Sequence, residues 1–199
     1  MTGGPDPETL AVYDDKAEDY GTRFTWDKPY PRLDAFLDEV APGGRILDLG
    51  CGVGTASARM RDRGYDVVAL DPSEGMARVA HERHGLTVLP GDFDHVPDLG
   101  RFDAVWAHFS LLHAPRADLP RHLAAIHAAL PPQGPFLVAM KTGTTTARDR
   151  LGRRYTYVTE TELTGLLTDA GFTPSQIAHG ADEGLDGTVA PWIMVTAHA

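Results

Sequence analysis

The chain has 199 residues, 42% of them hydrophobic, and a formal net charge of −10. That is enough apolar material for one cored domain and too much for a disordered chain, while the acidic balance argues against a nucleic-acid partner, which calls for a basic face. No apolar run nears the roughly 20 residues of a membrane helix, the first residues carry no basic and apolar leader, and the single cysteine, Cys51, excludes an internal disulfide, so a cytoplasmic protein without a membrane partner is expected.

Residues 1–8 read as a loose tail. A helix over 9–20 carries Tyr13 and Tyr20, and a second over 31–40 places Leu33, Phe36, Leu37 and Val40 at helical spacing. Ile46, Leu47 and Leu49 then form a short apolar strand. It runs into Asp48-x-Gly50-x-Gly52-x-Gly54, followed by a helix-forming stretch over 55–63. Strand, glycine loop and helix make a nucleotide-type site at the carboxyl end of a parallel strand.

The loop narrows the ligand. A dinucleotide fingerprint needs a third glycine where this chain has Thr55 or Ser57, and the Gly-Lys-Ser/Thr ending of a phosphate-cradling loop is absent. Asp48, just before the glycines, repels phosphate and suits an ammonium group. The implied ligand carries a cationic amino group and no phosphate. Cys51 lies inside the loop, where one thiol cannot build a zinc site; it fills space beside the ligand, and no metal is expected.

Val67–Leu70 is a second apolar strand, ending in Asp71 at the spacing where an acid binds ribose hydroxyls. Pro72-Ser73-Glu74 opens the next helix, with Ser73 as N-cap. A strand over 86–90 leads into Gly91-Asp92-Phe93, where Asp92 suits an exocyclic amine and Phe93 a base. Phe102–Ala107 is the fourth strand, and His108 and His113 follow it. A helix over 119–130 stops at Pro131-Pro132, and 136–141 is the fifth strand. Residues 142–156 read as a mobile loop. With Lys141 they hold the only strongly basic cluster, which is either a polar surface or a substrate lid. A helix over 160–170 ends at Gly171, and two strands lie near 173–179 and 190–197. His81, His84, His122 and His127 read as solvated helix positions.

Asp-Leu-Gly-Cys-Gly-Val-Gly, Ala-Leu-Asp71-Pro-Ser, Gly91-Asp92 and Phe102-Asp103-Ala-Val-Trp-Ala-His occur in that order. Together they resemble the class I S-adenosylmethionine-dependent methyltransferases, from about Tyr13 to Phe172. The resemblance implies an α/β fold: a Rossmann-like, doubly wound, seven-stranded and mostly parallel sheet, with helices on both faces and one antiparallel strand near the edge. It implies one domain over 1–199, with lid helices in 1–40 and a core in 41–199. S-adenosylmethionine would lie across the carboxyl ends of the first strands, leaving S-adenosylhomocysteine as product. Asp48, Gly50, Cys51, Gly52, Asp71, Pro72 and Met76 would hold it, with Gly91, Asp92, Phe93 and His108. Tyr13, Tyr20 and Arg32 would close over its methionine end.

His113 is the expected general base, since an unperturbed imidazole titrates near 6.5. The acceptor implied is a small molecule methylated at O, N or S, by a monomer or homodimer. A tRNA or protein methyltransferase, and a non-catalytic S-adenosylmethionine-binding module, are the alternatives.

Overall fold

The computed structural model describes residues 4–24 and 30–199. Five strands build the parallel part of the sheet: β1 (Arg45–Leu49), β2 (Asp66–Asp71), β3 (Val88–Pro90), β4 (Ala104–His108) and β5 (Pro135–Lys141). A two-stranded excursion, β6 (Thr146–Arg148) and β7 (Arg154–Thr156), comes before the last strands, β8 (Thr173–Glu183) and β9 (Val189–His198). The main sheet has seven strands in the order β3-β2-β1-β4-β5-β9-β8. β9 alone runs antiparallel, to β5 on one side and β8 on the other, as the resemblance implies.

The central strands are apolar on both faces, as a strand covered on both sides must be. Leu47, Leu49 and Val105 pack with Leu123 and Ile126 of α5 (Leu119–Ala129) and with Leu163 and Leu167 of α6 (Glu160–Asp169). Ile46, Ala104 and Trp106 face the other way, onto Leu33 and Phe36 of α2 (Pro31–Leu37) and Met60 of α3 (Thr55–Asp62). β1 has β2 on one side and β4 on the other, so the strand order reverses there. An open α/β sheet has its crevice at that switch point.

Two helices close the crevice. α4 (Glu74–His84) starts at Ser73, whose hydroxyl accepts the Met76 N–H at 3.1 Å, as the sequence indicates. α1 (Pro7–Arg23) lies against α4, and Asp14 of α1 accepts the Ser73 hydroxyl at 2.6 Å and the Gly75 N–H at 3.0 Å.

Four expectations are corrected. The tail over 1–8 is shorter, because Asp6 caps α1 and Pro7 is its first residue; residues 1–3 lie outside those described. The helix over 31–40 ends at Leu37. Residues 142–156 form a hairpin, not a mobile loop, since β6 and β7 pair and their turn is tied by the Asp149 carboxylate. His122 is not solvated: it is 5% exposed, edge-on to Phe93.

Gly50 is required by both its backbone and its surroundings. Its φ is +75°, and a Cβ there would sit 2.3 Å from Cβ of Ser110. Gly50→Ala is therefore expected to cost at least the roughly 1–3 kcal/mol of a side chain forced into this conformation, read as a lower urea midpoint. An unchanged midpoint would show that the two loops do not meet.

Candidate functional site

A cavity of about 660 Å³ opens at the carboxyl ends of β1, β2 and β4, and every site residue expected from sequence lines it. The glycine loop turns back under β2, with the Gly50 and Cys51 N–H groups donating to the Leu70 carbonyl at 2.8 and 3.0 Å. Asp71 locks the turn. Its Oδ2 accepts the Gly52 N–H at 2.8 Å and its Oδ1 the Ser73 N–H at 2.9 Å. At Gly52 the loop is open: a Cβ there would reach only Tyr20, at 4.0 Å.

This end is acidic. Asp48 is 2% exposed and accepts the Ser57 hydroxyl at 2.6 Å. Burial pushes its carboxyl up to about 7, and burial likewise pushes Asp71 up to about 6. Burial, with both carboxylates nearby, also holds the Cys51 thiol well above its usual value, so it is no nucleophile at neutral pH. Asp92 caps the short helix at Phe93–Leu99, accepting the Asp94 N–H at 3.0 Å. No lysine or arginine occurs in 48–57, 71–76 or 91–95, so a pyrophosphate would find no cation on these segments. Pro72 and Met76 form the floor beneath the lid, with Met76 buried against Ala17 and Tyr20.

The other end is aromatic and basic. Tyr13 and Tyr20 stand two turns apart on α1, so they share one face, and their rings meet edge-on at 6.1 Å. His113 donates from Nδ1 to the Arg154 carbonyl at 2.7 Å, which leaves Nε2 as the acceptor for the Tyr13 hydroxyl at 2.8 Å. Tyr13 in turn accepts from Arg153 at 3.2 Å. Burial pushes the His113 imidazole down to about 4, so it is neutral with both nitrogens engaged. His108 pairs with the Tyr30 hydroxyl at 2.8 Å, stacks on Trp106, and is pushed down to about 3 by burial and by Arg32. The Arg32 guanidinium lies over the Trp192 ring at 4.4 Å.

Residues 46–134 match the family described as a methyltransferase domain. That stretch, under half of the chain, is similar to methyltransferase domains, and the fold is the one that S-adenosylmethionine-dependent methyltransferases share. Among curated relatives, the demethylmenaquinone methyltransferase of Beutenbergia cavernae is 39% identical over 116 residues, covering 53% of this chain and 48% of the relative. An uncharacterized methyltransferase of Oceanobacillus iheyensis is 26% identical over 127 residues, covering 62% and 59% respectively.

The chain thus spans about half to three-fifths of the length of the curated relatives it matches. Among solved structures, the 1,6-didemethyltoxoflavin-N1-methyltransferase of Burkholderia thailandensis, with bound 1,6-didemethyltoxoflavin and S-adenosylhomocysteine, superimposes with a TM-score of 0.71. It is 24% identical, with 100% of this chain and 91% of that one covered, so the likeness is one of fold.

Sequence reasoning missed the contribution of the β8–β9 hairpin to the cavity. Trp192 reaches it by lying flat on Gly180, its cross-strand partner, with the indole N–H given to Asp182 at 2.7 Å. Nothing local in 180–192 marks these residues; only the strand register brings them to the site. Tyr30 and His122 also line the cavity unannounced.

Proposed function

We propose that this chain binds S-adenosylmethionine in the crevice and transfers its methyl group to a small-molecule O, N or S acceptor. The observation that carries the reading is the polarity of the cavity: an open glycine cradle ringed by Asp48, Asp71 and Asp92 at one end, arginines and neutral aromatics at the other. That suits a nucleoside with a cationic amino acid and no phosphate. Gly52 leaves room for a ligand against the main chain.

In this reading Asp71 takes the ribose hydroxyls and Asp92 the exocyclic amine, with Phe93 on the base. Asp48 supports the ammonium group, and Arg32 the carboxylate. Tyr13 and Tyr20 exclude water and hold the acceptor in line. When bound, the cofactor supplies a methyl already activated on positive sulfur. The protein's task is then alignment, which supplies on the order of 7–11 kcal/mol of such a barrier. The 1–40 segment acts as the lid on the 41–199 core. Calorimetry with S-adenosylmethionine, and S-adenosylhomocysteine release over an acceptor panel, test the reading. No binding at millimolar ligand would overturn it.

His113 is placed as a positioning residue acting through Tyr13, since its nitrogens are already engaged. His113→Ala is expected to slow turnover about tenfold while cofactor affinity stays within about threefold, the size of effect for a lost alignment contact. The wild-type pH–rate profile should show no limb near 6.5 that is lost in His113→Ala, because burial keeps the imidazole neutral down to about 4. A full rate in the variant would leave His113 purely structural. A limb near 6.5 present in wild type and lost in His113→Ala would restore it as a free base.

A further inference from the structure

Lys141 ends β5, two strands along the sheet from the glycine loop. Its ammonium lies over the Tyr155 ring at 4.1 Å, with Gly184 of the β8–β9 turn alongside: a Cβ there would be 3.5 Å from Nζ. Three other charges on this wall are matched. Arg153 is held by Asp149, Arg23 by Glu183, and Asp182 by the Trp192 indole. Among the described residues no carboxylate comes within ion-pair distance of Lys141. Asp186 and Asp149 act on it only through space, and burial together with Arg153 disfavours its charge.

A cation kept half-buried at the edge of a cavity, at that cost, calls for an anion from outside. Tyr155 and Trp192 line the cavity beside it.

We propose that the acceptor is an organic monoanion, a carboxylate or an ionised conjugated hydroxyl, whose charge rests on Lys141. This rests on the methyltransferase reading and narrows its acceptor class. An acceptor that arrives ionised needs no base, which fits the neutral, engaged imidazoles of His108 and His113.

The test uses the full chain saturated with S-adenosylhomocysteine, and compares benzoate with benzamide and cinnamate with cinnamamide by calorimetry or ligand-observed NMR. Each acid is expected to bind at least about tenfold more tightly than its amide, in line with the worth of a charged hydrogen bond. Lys141→Met and Lys141→Gln should both abolish the preference, and Lys141→Arg should restore most of it. Acids no better than their amides, or a preference that survives in Lys141→Met, would overturn the proposal while leaving cofactor binding in place. Failure of S-adenosylhomocysteine itself to bind would instead remove the methyltransferase reading, and this proposal with it. The wild-type acid-to-amide ratio needs no variant, so a misfolded substitution cannot hide the answer.

Discussion

Replacing Arg153 by methionine is expected to destabilise the fold by about 3–5 kcal/mol, the range for removing one partner of a buried ion pair. Arg153 and Asp149 have side chains only 2% and 3% exposed, and the guanidinium gives Asp149 two hydrogen bonds, at 2.9 and 2.6 Å. Asp149 also accepts the backbone N–H groups of Leu151 and Arg153, at 3.0 and 2.9 Å. It cannot swing out to water without undoing the β6–β7 turn. Methionine keeps the apolar stem and leaves the carboxylate unpaired. The double variant Asp149→Asn with Arg153→Met should recover most of the loss, because the amide oxygen still serves the turn and no charge remains. Urea denaturation of the three proteins measures it. A single-variant loss under about 1 kcal/mol would mean that the hairpin is the surface loop its composition suggests.

That composition shows what a sequence conceals. The stretch over 142–156 is polar and rich in glycine and arginine, with no alternation to mark its two three-residue strands. Its order comes from contacts distant in sequence: the Thr9 hydroxyl accepts the Arg154 N–H at 2.8 Å, and Asp6 receives Arg148 at 2.8 and 2.9 Å. The central strands were legible for the opposite reason, since a strand buried on both faces must be a continuous apolar run.

The glycine loop and Asp71 were legible because their geometry is local to one strand–turn–helix unit. His113 was legible as a cavity residue but not as one whose two ring nitrogens are already engaged. Its burial depends on Tyr13 from α1 and the Arg154 carbonyl from β7, which no spacing along the chain announces. Trp192 was hidden in the same way, reaching the cavity only through its register against Gly180.

Asp71→Ala is expected to weaken S-adenosylmethionine binding by about 10²-fold. One hydrogen bond to a charged group is worth about 1.5–3 kcal/mol, and 1.4 kcal/mol is tenfold. The variant loses the proposed ribose acceptor and also the carboxylate that fixes the Gly52 N–H, so the cradle loosens as the contact disappears. Asp71→Asn should fall between, since its amide oxygen serves only one of the two N–H groups.

The sign of the pH dependence follows from burial, which raises the Asp71 carboxyl to about 6 in the free protein. The ionised form is the better acceptor, so affinity should hold above that value and fall as the pH drops through it. Asp71→Ala should lose that limb. Asp48 titrates nearby, at about 7, so an Asp48→Asn variant run in parallel separates the two carboxyls: it should keep the Asp71 limb. Calorimetry across pH 5–8 reads all four proteins. Equal affinities for wild type and Asp71→Ala would take Asp71 out of the ligand's reach and leave it only as the clamp on the glycine loop.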